Sequence, residues 1–215
     1  MSWSWFYNLV KFLMIVIVPL LTRWRVKGRE NVPAHGPLLV VANHISNADP
    51  PLIAISLGRK VKFMAKRDLF RSRLSNSVMH GFGAFPVSKG QVDIGALRRA
   101  RRVLGKNKAL VVFPEGRRSR KEQLVSAYSG AALIALRSDV TLLPVGISGT
   151  EKMESISWLW HRPRITINIG HPFRLPPVDG RLTKEELSGS TDSIMEHIAE
   201  LLPLRYRGKY DKKRK

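Results

Sequence analysis

The chain has 215 residues, and 37 Lys or Arg against 16 Asp or Glu give it a formal net charge of +21. A chain of this length fits one α/β domain with a core of its own. The absence of cysteine excludes a disulfide framework, a thiolate nucleophile and a cysteine-ligated metal. The positive charge favours polyanions or anionic membranes as partners, without choosing between them.

The N-terminus carries an apolar run at residues 12–21 that aromatic residues flank on both sides. A helix of that length rises only about 15 Å, about half of the hydrocarbon core of a bilayer. A signal peptide fits poorly, because no basic segment precedes the run and no small-residue cleavage site follows it. We therefore predict a membrane-associated helical segment over residues 1–28, either monotopic or a single anchor, with Arg23, Arg25 and Lys27 at anionic headgroups. The alternative is a buried first helix of the core.

After this segment the chain alternates between strand and helix patterns. Buried β-rich runs predict strands at residues 37–42, 61–65, 84–87, 109–113, 141–147 and 165–169. Helical spacing predicts helices at 93–104 and 128–136, and a capping box at Thr183 and Glu186 predicts a third that Gly189 could break. This alternation indicates an α/β fold with a mostly parallel sheet flanked by helices. We expect the main domain at residues 29–204 and a disordered basic tail at 205–215, either solvated or on anionic lipid.

A histidine and a carboxylate follow the first buried strand, in the sequence N-H-I-S-N-A-D-P at residues 43–50. Side chains five apart in one helix would point about 140° away from each other, so this block must be mostly loop. Asp49 before Pro50 fits a helix N-cap. A turn through residues 46–47 can bring His44 onto Asp49, which would fix the imidazole tautomer and leave a base for a hydroxyl. Taken alone, the same residues also fit a structural histidine and a cap.

A second block, F-P-E-G-R-R-S at residues 113–119, also follows a strand. It therefore belongs at the same carboxyl edge of a parallel sheet, where open α/β folds bind ligands. Gly116 permits close backbone approach, and Arg117 and Arg118 can grip phosphate with planar forks. Glu115 could orient an arginine or receive a substrate hydroxyl. The alternative is a basic surface turn with a structural glutamate.

Together the two blocks resemble the N-H-x-x-x-x-D and F-P-E-G-T-R-S motifs of the glycerolipid acyltransferases, with Arg117 in the threonine position. Two weaker blocks stand in the family's order. The first is K-R-D-L-F at residues 66–70 with G-A-F-P-V-S-K at 83–89, where Lys89 replaces the usual arginine. The second is L-P-V-G-I-S-G-T at residues 143–150. The resemblance covers roughly residues 25–202.

The resemblance implies transfer of a fatty acyl group from a thioester, on acyl-CoA or acyl carrier protein, to the free hydroxyl of a lysophospholipid acceptor such as 1-acyl-glycerol-3-phosphate. His44 would be the general base and Asp49 its partner, with no metal and no bound cofactor. The predicted substrate-binding residues are Lys66, Lys89, Glu115, Gly116, Arg117 and Arg118. The reaction implies a place on the membrane, on its cytoplasmic face, with anionic membrane lipids as partners.

Two alternatives remain open at this point. The replacements at Arg117 and Lys89 border the expected phosphate site, so the acceptor could instead be glycerol-3-phosphate, another lysophospholipid or a glycolipid. A basic nucleic-acid-binding protein is the alternative from another class. The sequence lacks a basic helix with base-reading polar residues, a zinc spacing and an RNP-like aromatic pattern, so nucleic acid is not expected as a partner.

Overall fold

A computed structural model of the chain describes residue 12 and residues 16–87, 93–119, 121–155, 157–178 and 182–211. The strands in these ranges are β1 (Arg23–Lys27), β2 (Leu38–Ala42), β3 (Val61–Lys66), β4 (Ala84–Val87), β5 (Ala109–Val112), β6 (Thr141–Ser148) and β7 (Arg164–Ile169). The helices are α1 (Asp49–Ser56), α2 (Arg73–Gly81), α3 (Ile94–Leu104), α4 (Gly130–Ser138), α5 (Trp158–His161) and α6 (Lys184–Glu200). Short 3₁₀ helices include Thr150–Met153, Leu204–Tyr206 and Gly208–Tyr210.

The described strands form one sheet in the order β1-β7-β6-β2-β5-β3-β4. Strands β2 to β6 are parallel, whereas β7 is antiparallel to β6 and β1 is parallel to β7. The five parallel strands therefore end at one edge, which we call the carboxyl edge. Because β1 and β7 run the other way, their first residues, Arg23 and Arg164, lie at that same edge.

The core lies on both faces of this sheet. In β2 the side chains alternate, so that Leu38 and Val40 pack with α1 on one face while Leu39 and Val41 face α3, α4 and α6 on the other. All of β2 is buried, which explains its continuous apolar run. The predicted α/β class with a mostly parallel, helix-flanked sheet is confirmed, and so are the six predicted strands.

Strand β1 was not predicted, because its residues had been assigned to the N-terminal membrane segment. Its sequence alternates exposed Arg23, Arg25 and Lys27 with Trp24 and Val26, which pack against the core. This period of two is typical of an edge strand with one solvated face. The sheet thus begins inside the segment predicted over residues 1–28. Lys27 is the last residue of β1, so it lies at the edge of the sheet opposite to the carboxyl edge and Arg23. It would therefore point away from a membrane that the carboxyl edge faces.

The helix predictions agree with the structure in most places. Asp93 caps α3 by accepting the Ala96 N–H at 2.9 Å, and the capping box at Thr183 begins α6. Gly189 does not break α6, which continues for 17 residues because its buried face packs on the sheet. Helices α2 and α5 were not predicted. Asp49 is the first residue of α1 and Ala48 the N-cap, so the prediction of a cap at Asp49 was wrong.

The described residues near both ends of the chain contribute side chains to the buried core. Residues 16–21 are helical, with Val18 in the core and Val16, Ile17 and Leu20 exposed. No helix within the described ranges combines the length and apolar character needed to cross a membrane. The prediction of a disordered tail was wrong for residues 205–211, because two 3₁₀ helices form there and Tyr206 is 1% exposed. Residues 1–11, 13–15 and 212–215 lie outside the described ranges.

Candidate active site

The loop that follows β2 is tied to its neighbours on both sides. The Asn43 amide donates to the Ile147 carbonyl at 2.9 Å and accepts the Ile147 N–H at 2.7 Å, which attaches the loop to β6. The Ser119 N–H donates to the His44 carbonyl at 2.7 Å. The two sequence blocks that carry the predicted site are therefore in direct contact at the carboxyl edge, as their positions after strands predicted.

His44 and Asp49 make the predicted contact, with Nδ1 of the imidazole 2.8 Å from Oδ2 of the carboxylate. The same oxygen accepts the backbone N–H groups of Ile45 and Ser46 at 2.7 and 2.8 Å, and Oδ1 accepts the Thr150 hydroxyl at 2.6 Å. Asp49 is 0% exposed, so these four hydrogen bonds replace its hydration. The carboxylate places the proton on Nδ1 and leaves Nε2 free to act as a base.

Phe113, in addition to Asp49, contacts the His44 imidazole. The His44 ring stacks on Phe113, with the ring centroids 4.2 Å apart and the planes at 22°. The His44 side chain is still 17% exposed, so a substrate can reach it. A cavity of about 250 Å³ opens beside the following turn, lined by Ser46, Asn47, Ala48, Arg118, Met153 and Glu154.

Glu115 has different partners from those that the sequence predicted. It is 1% exposed, and its two oxygens accept the backbone N–H groups of His44 and Val125 at 3.1 and 3.2 Å. Burial raises the pKa of Glu115 to about 7, against the opposing effect of these two hydrogen bonds. The carboxylate therefore braces the backbone behind His44 and does not lie open to a substrate hydroxyl.

The glycine and arginines of the second block face outward. Gly116 has φ of 63°, a left-handed conformation that favours glycine, and a Cβ atom there would lie 2.8 Å from the ring of the exposed Tyr128, which would have to shift. Arg117 and Arg118 are exposed. Arg118 forms an ion pair with Glu154, with Nη1 3.0 Å from Oε1, beside the cavity described above.

Of the remaining predicted binding residues, Lys66 lies further along the carboxyl edge. Lys66 ends β3, is exposed and forms an ion pair with Asp68. Lys89 lies outside the described residues. The structure thus brings His44, Asp49, Glu115, Gly116 and Arg118 into one cluster.

One residue of the cluster had no predicted role. Thr150 ends the L-P-V-G-I-S-G-T block at residues 143–150, where the sequence assigned it no function, and it is the partner of Asp49 on the side away from His44. It directly follows Gly149 at the end of β6, as His44 follows β2. The signal that could have identified it is therefore the same one: a polar residue just after a buried strand.

Comparison with known proteins places this arrangement in a family. Residues 23–148 match the family model described as Acyltransferase. Because the match covers more than half of the chain, the protein belongs to this family and is an acyltransferase.

Individual relatives agree with that class. The chain is 24% identical over 187 residues to the 1-acyl-sn-glycerol-3-phosphate acyltransferase of Bacillus subtilis, covering 86% of this chain and 92% of that protein. It is 32% identical over 133 residues to a chloroplastic 1-acyl-sn-glycerol-3-phosphate acyltransferase of Arabidopsis thaliana, covering 60% of this chain and 36% of that protein. The crystal structure of the 1-acyl-sn-glycerophosphate (LPA) acyltransferase PlsC from Thermotoga maritima is similar with a TM-score of 0.68 and 25% identity, covering 93% of this chain and 81% of that one.

Proposed function

We propose that this protein transfers a fatty acyl group from a thioester to the free hydroxyl of 1-acyl-glycerol-3-phosphate, which gives phosphatidic acid for phospholipid synthesis. The observation that carries the proposal is the contact of the partly exposed His44 with the buried Asp49. The acceptor is proposed from the relatives, which are named for acyl transfer to 1-acyl-glycerol-3-phosphate.

In the proposed reaction the acceptor hydroxyl approaches Nε2 of His44. The imidazole takes the hydroxyl proton while the oxygen attacks the thioester carbonyl, and the buried Asp49 carboxylate stabilises the imidazolium that forms. The tetrahedral intermediate then expels the thiolate, which receives the proton from His44. No acyl-enzyme is required, because the thioester is already activated and positioning supplies much of the acceleration.

Arg118 is proposed to hold the acceptor phosphate. It lies beside the cavity next to the catalytic loop, and its ion pair with Glu154 is largely exposed, so little free energy opposes its exchange for a phosphate. A guanidinium can bind two phosphate oxygens at once, which favours this role over contact with a thioester carbonyl. Lys89, Lys66 and Arg117 remain proposed contributors.

The membrane location is proposed from the side chains that the carboxyl edge exposes. The helix at residues 16–21 enters the sheet there through Arg23, whose N–H donates to the Pro163 carbonyl at 2.9 Å. Trp160, in α5 just before β7, is 88% exposed, and Arg164, the first residue of β7, is exposed as well. An apolar and basic surface of this kind fits the interface of an anionic bilayer, on the cytoplasmic face, with the site directed towards the lipid.

The membrane proposal predicts that removal of residues 1–15 weakens sedimentation with anionic vesicles and leaves the fold intact. The deletion stops at residue 15 because Val18 belongs to the core. High salt should release the truncated protein more completely than the full chain, because ionic contacts are screened and apolar insertion is not. Loss of a cooperative melt in the truncated protein would instead make the N-terminal segment part of the core.

The activity is tested with purified protein and a panel of acceptors: 1-acyl-glycerol-3-phosphate, glycerol-3-phosphate, other lysophospholipids and a glycolipid precursor. Acyl-CoA and acyl carrier protein are supplied in parallel as donors. We expect phosphatidic acid as the main product, and His44→Ala should lower kcat by about 10²–10⁴-fold with little change in thermal midpoint. Higher kcat/KM for another acceptor would correct the substrate, and substantial turnover in His44→Ala would overturn the mechanism.

A further inference from the structure

The 3₁₀ helix at Leu204–Tyr206 contacts the loops that follow β5 and β6, which hold His44 and Asp49. Tyr206 is 1% exposed, and its hydroxyl accepts the Gly149 N–H at 3.1 Å and donates to Oε1 of Glu151 at 2.8 Å. Arg205 donates to the Tyr206 hydroxyl oxygen at 2.6 Å. A phenol hydroxyl has one proton and two lone pairs, so all of its positions are used. Burial and Glu151 raise the pKa of Tyr206 to about 12, which keeps the hydroxyl protonated near neutral pH.

The first connection runs from Tyr206 to the imidazole ring. Gly149 has φ of 90°, and a Cβ atom there would lie 2.0 Å from the Arg164 carbonyl oxygen, so the backbone is tightly confined. The next residue, Thr150, is 0% exposed and donates to Oδ1 of Asp49 at 2.6 Å. The Tyr206 hydroxyl thus fixes the peptide that carries Thr150, and Thr150 fixes the carboxylate that orients His44.

The second connection runs from Tyr206 to the backbone of the same histidine. The Tyr206 carbonyl accepts the Leu124 N–H at 2.8 Å. The adjacent Val125 N–H donates to Glu115, whose other oxygen accepts the His44 N–H. The two connections therefore meet at His44, one at its ring and one at its main chain.

We propose that Tyr206 and Thr150 are positioning residues for acyl transfer, through which the C-terminal segment holds the Asp49 carboxylate and the catalytic loop in register. The proposal rests on the role of His44 as the base. Neither side chain is required to touch a substrate in this role. Loss of either hydroxyl should therefore lower kcat and leave the KM values of donor and acceptor nearly unchanged.

The test uses the full chain and the variants Tyr206→Phe, Thr150→Val and Thr150→Ser. Thr191→Val is the matched control, because it removes a buried hydroxyl whose partner is the Leu187 carbonyl of its own helix, at 2.7 Å. We expect Tyr206→Phe and Thr150→Val each to lower kcat about tenfold, the factor that about 1.4 kcal/mol represents, with both KM values within about twofold of wild type. Thr150→Ser keeps the donor and should recover most of the loss, and Thr191→Val should retain wild-type kcat.

A double variant decides whether the two residues act through one path. If Tyr206 acts through Thr150, adding Tyr206→Phe to Thr150→Val should lower kcat by less than the product of the single effects. Fully multiplicative effects, unchanged kcat in both single variants, or a loss confined to KM would overturn the proposal. Should Tyr206→Phe fail to fold, equal kcat in Thr150→Ser and Thr150→Val would overturn it alone. Wild-type turnover and its loss in His44→Ala test the proposed function separately.

Discussion

Asp49→Asn isolates the charge of the Asp49 carboxylate, the proposed partner of the base, from its hydrogen bonds. One oxygen of Asp49 accepts three donors, from His44, Ile45 and Ser46, and the other accepts one, from Thr150. An asparagine can place its carbonyl oxygen towards the three donors and its NH₂ group towards Thr150, whose hydroxyl can turn to accept. The variant should therefore keep the fold, the histidine tautomer and the loop, and lose only the negative charge.

The expected loss follows from the separation of the two groups. With Nδ1 and Oδ2 2.8 Å apart, the charge centres of an imidazolium and a carboxylate lie about 4 Å apart, where their attraction is about 4 kcal/mol at an effective dielectric constant of about 20. Exchange of a charge-assisted for a neutral hydrogen bond alone costs about 1 kcal/mol. We therefore expect kcat to fall by between about 5-fold and 10³-fold, less than for His44→Ala.

The assay measures kcat and both KM values beside thermal unfolding. The thermal midpoint of Asp49→Asn should stay close to wild type, whereas Asp49→Ala should lower it strongly because four donors would then lose their acceptor. Wild-type kcat in a folded Asp49→Asn protein would show that the charge does not act in the rate-limiting step. Unfolding of that variant would show that the asparagine cannot satisfy the four partners, which would refute the hydrogen-bond assignment.

Three further predictions concern the second sequence block. Arg118→Ala should lower kcat/KM for the acceptor by a factor equivalent to about 1.5–3 kcal/mol, and Arg118→Lys should recover part of that loss. A rise in the donor KM alone would assign this arginine to the donor. Arg117→Thr should change acceptor preference more than rate, and an unchanged preference across the panel would exclude Arg117 from that site. Because the pKa of Glu115 is raised in the native state, protonation of this carboxyl stabilises the native state, and the contribution is complete below pH 4.5. It is lost as the pH rises to about 7. Glu115→Gln should therefore gain up to about 3 kcal/mol relative to wild type across that window, and an unfolding difference independent of pH would contradict it.

The parts of this fold that were predictable are those with local signatures. Fully buried strands such as β2 leave continuous apolar runs, and the polar residues directly after them mark the carboxyl edge, which was enough to pair His44 with Asp49. Strand β1 was missed because its charged, solvated face resembles a basic flank of the apolar run before it. Tyr206 was missed because it stands in a basic segment, and nothing in the sequence there indicates that a single aromatic residue is buried.

Other features depend on contacts that a single sequence does not display. Thr150 and Asp49 are 101 positions apart, and they meet only because β2 and β6 are neighbours in the sheet. The partners of Glu115 are backbone N–H groups, which leave no side-chain pattern at all. Sequence reasoning could therefore bring the residues of the candidate site together. It could not identify the hydroxyl and backbone groups that hold them in place.

The Asn43 side chain attaches the loop that carries His44 to the neighbouring strand β6. Its amide exchanges two hydrogen bonds with the N–H and the carbonyl of Ile147, and so continues the attachment to β6 after β2 itself has ended. The backbone at the histidine that follows is consequently held by the fold itself. In the proposed reaction, the free energy of substrate binding can then lower the barrier, because none of it is needed to order His44.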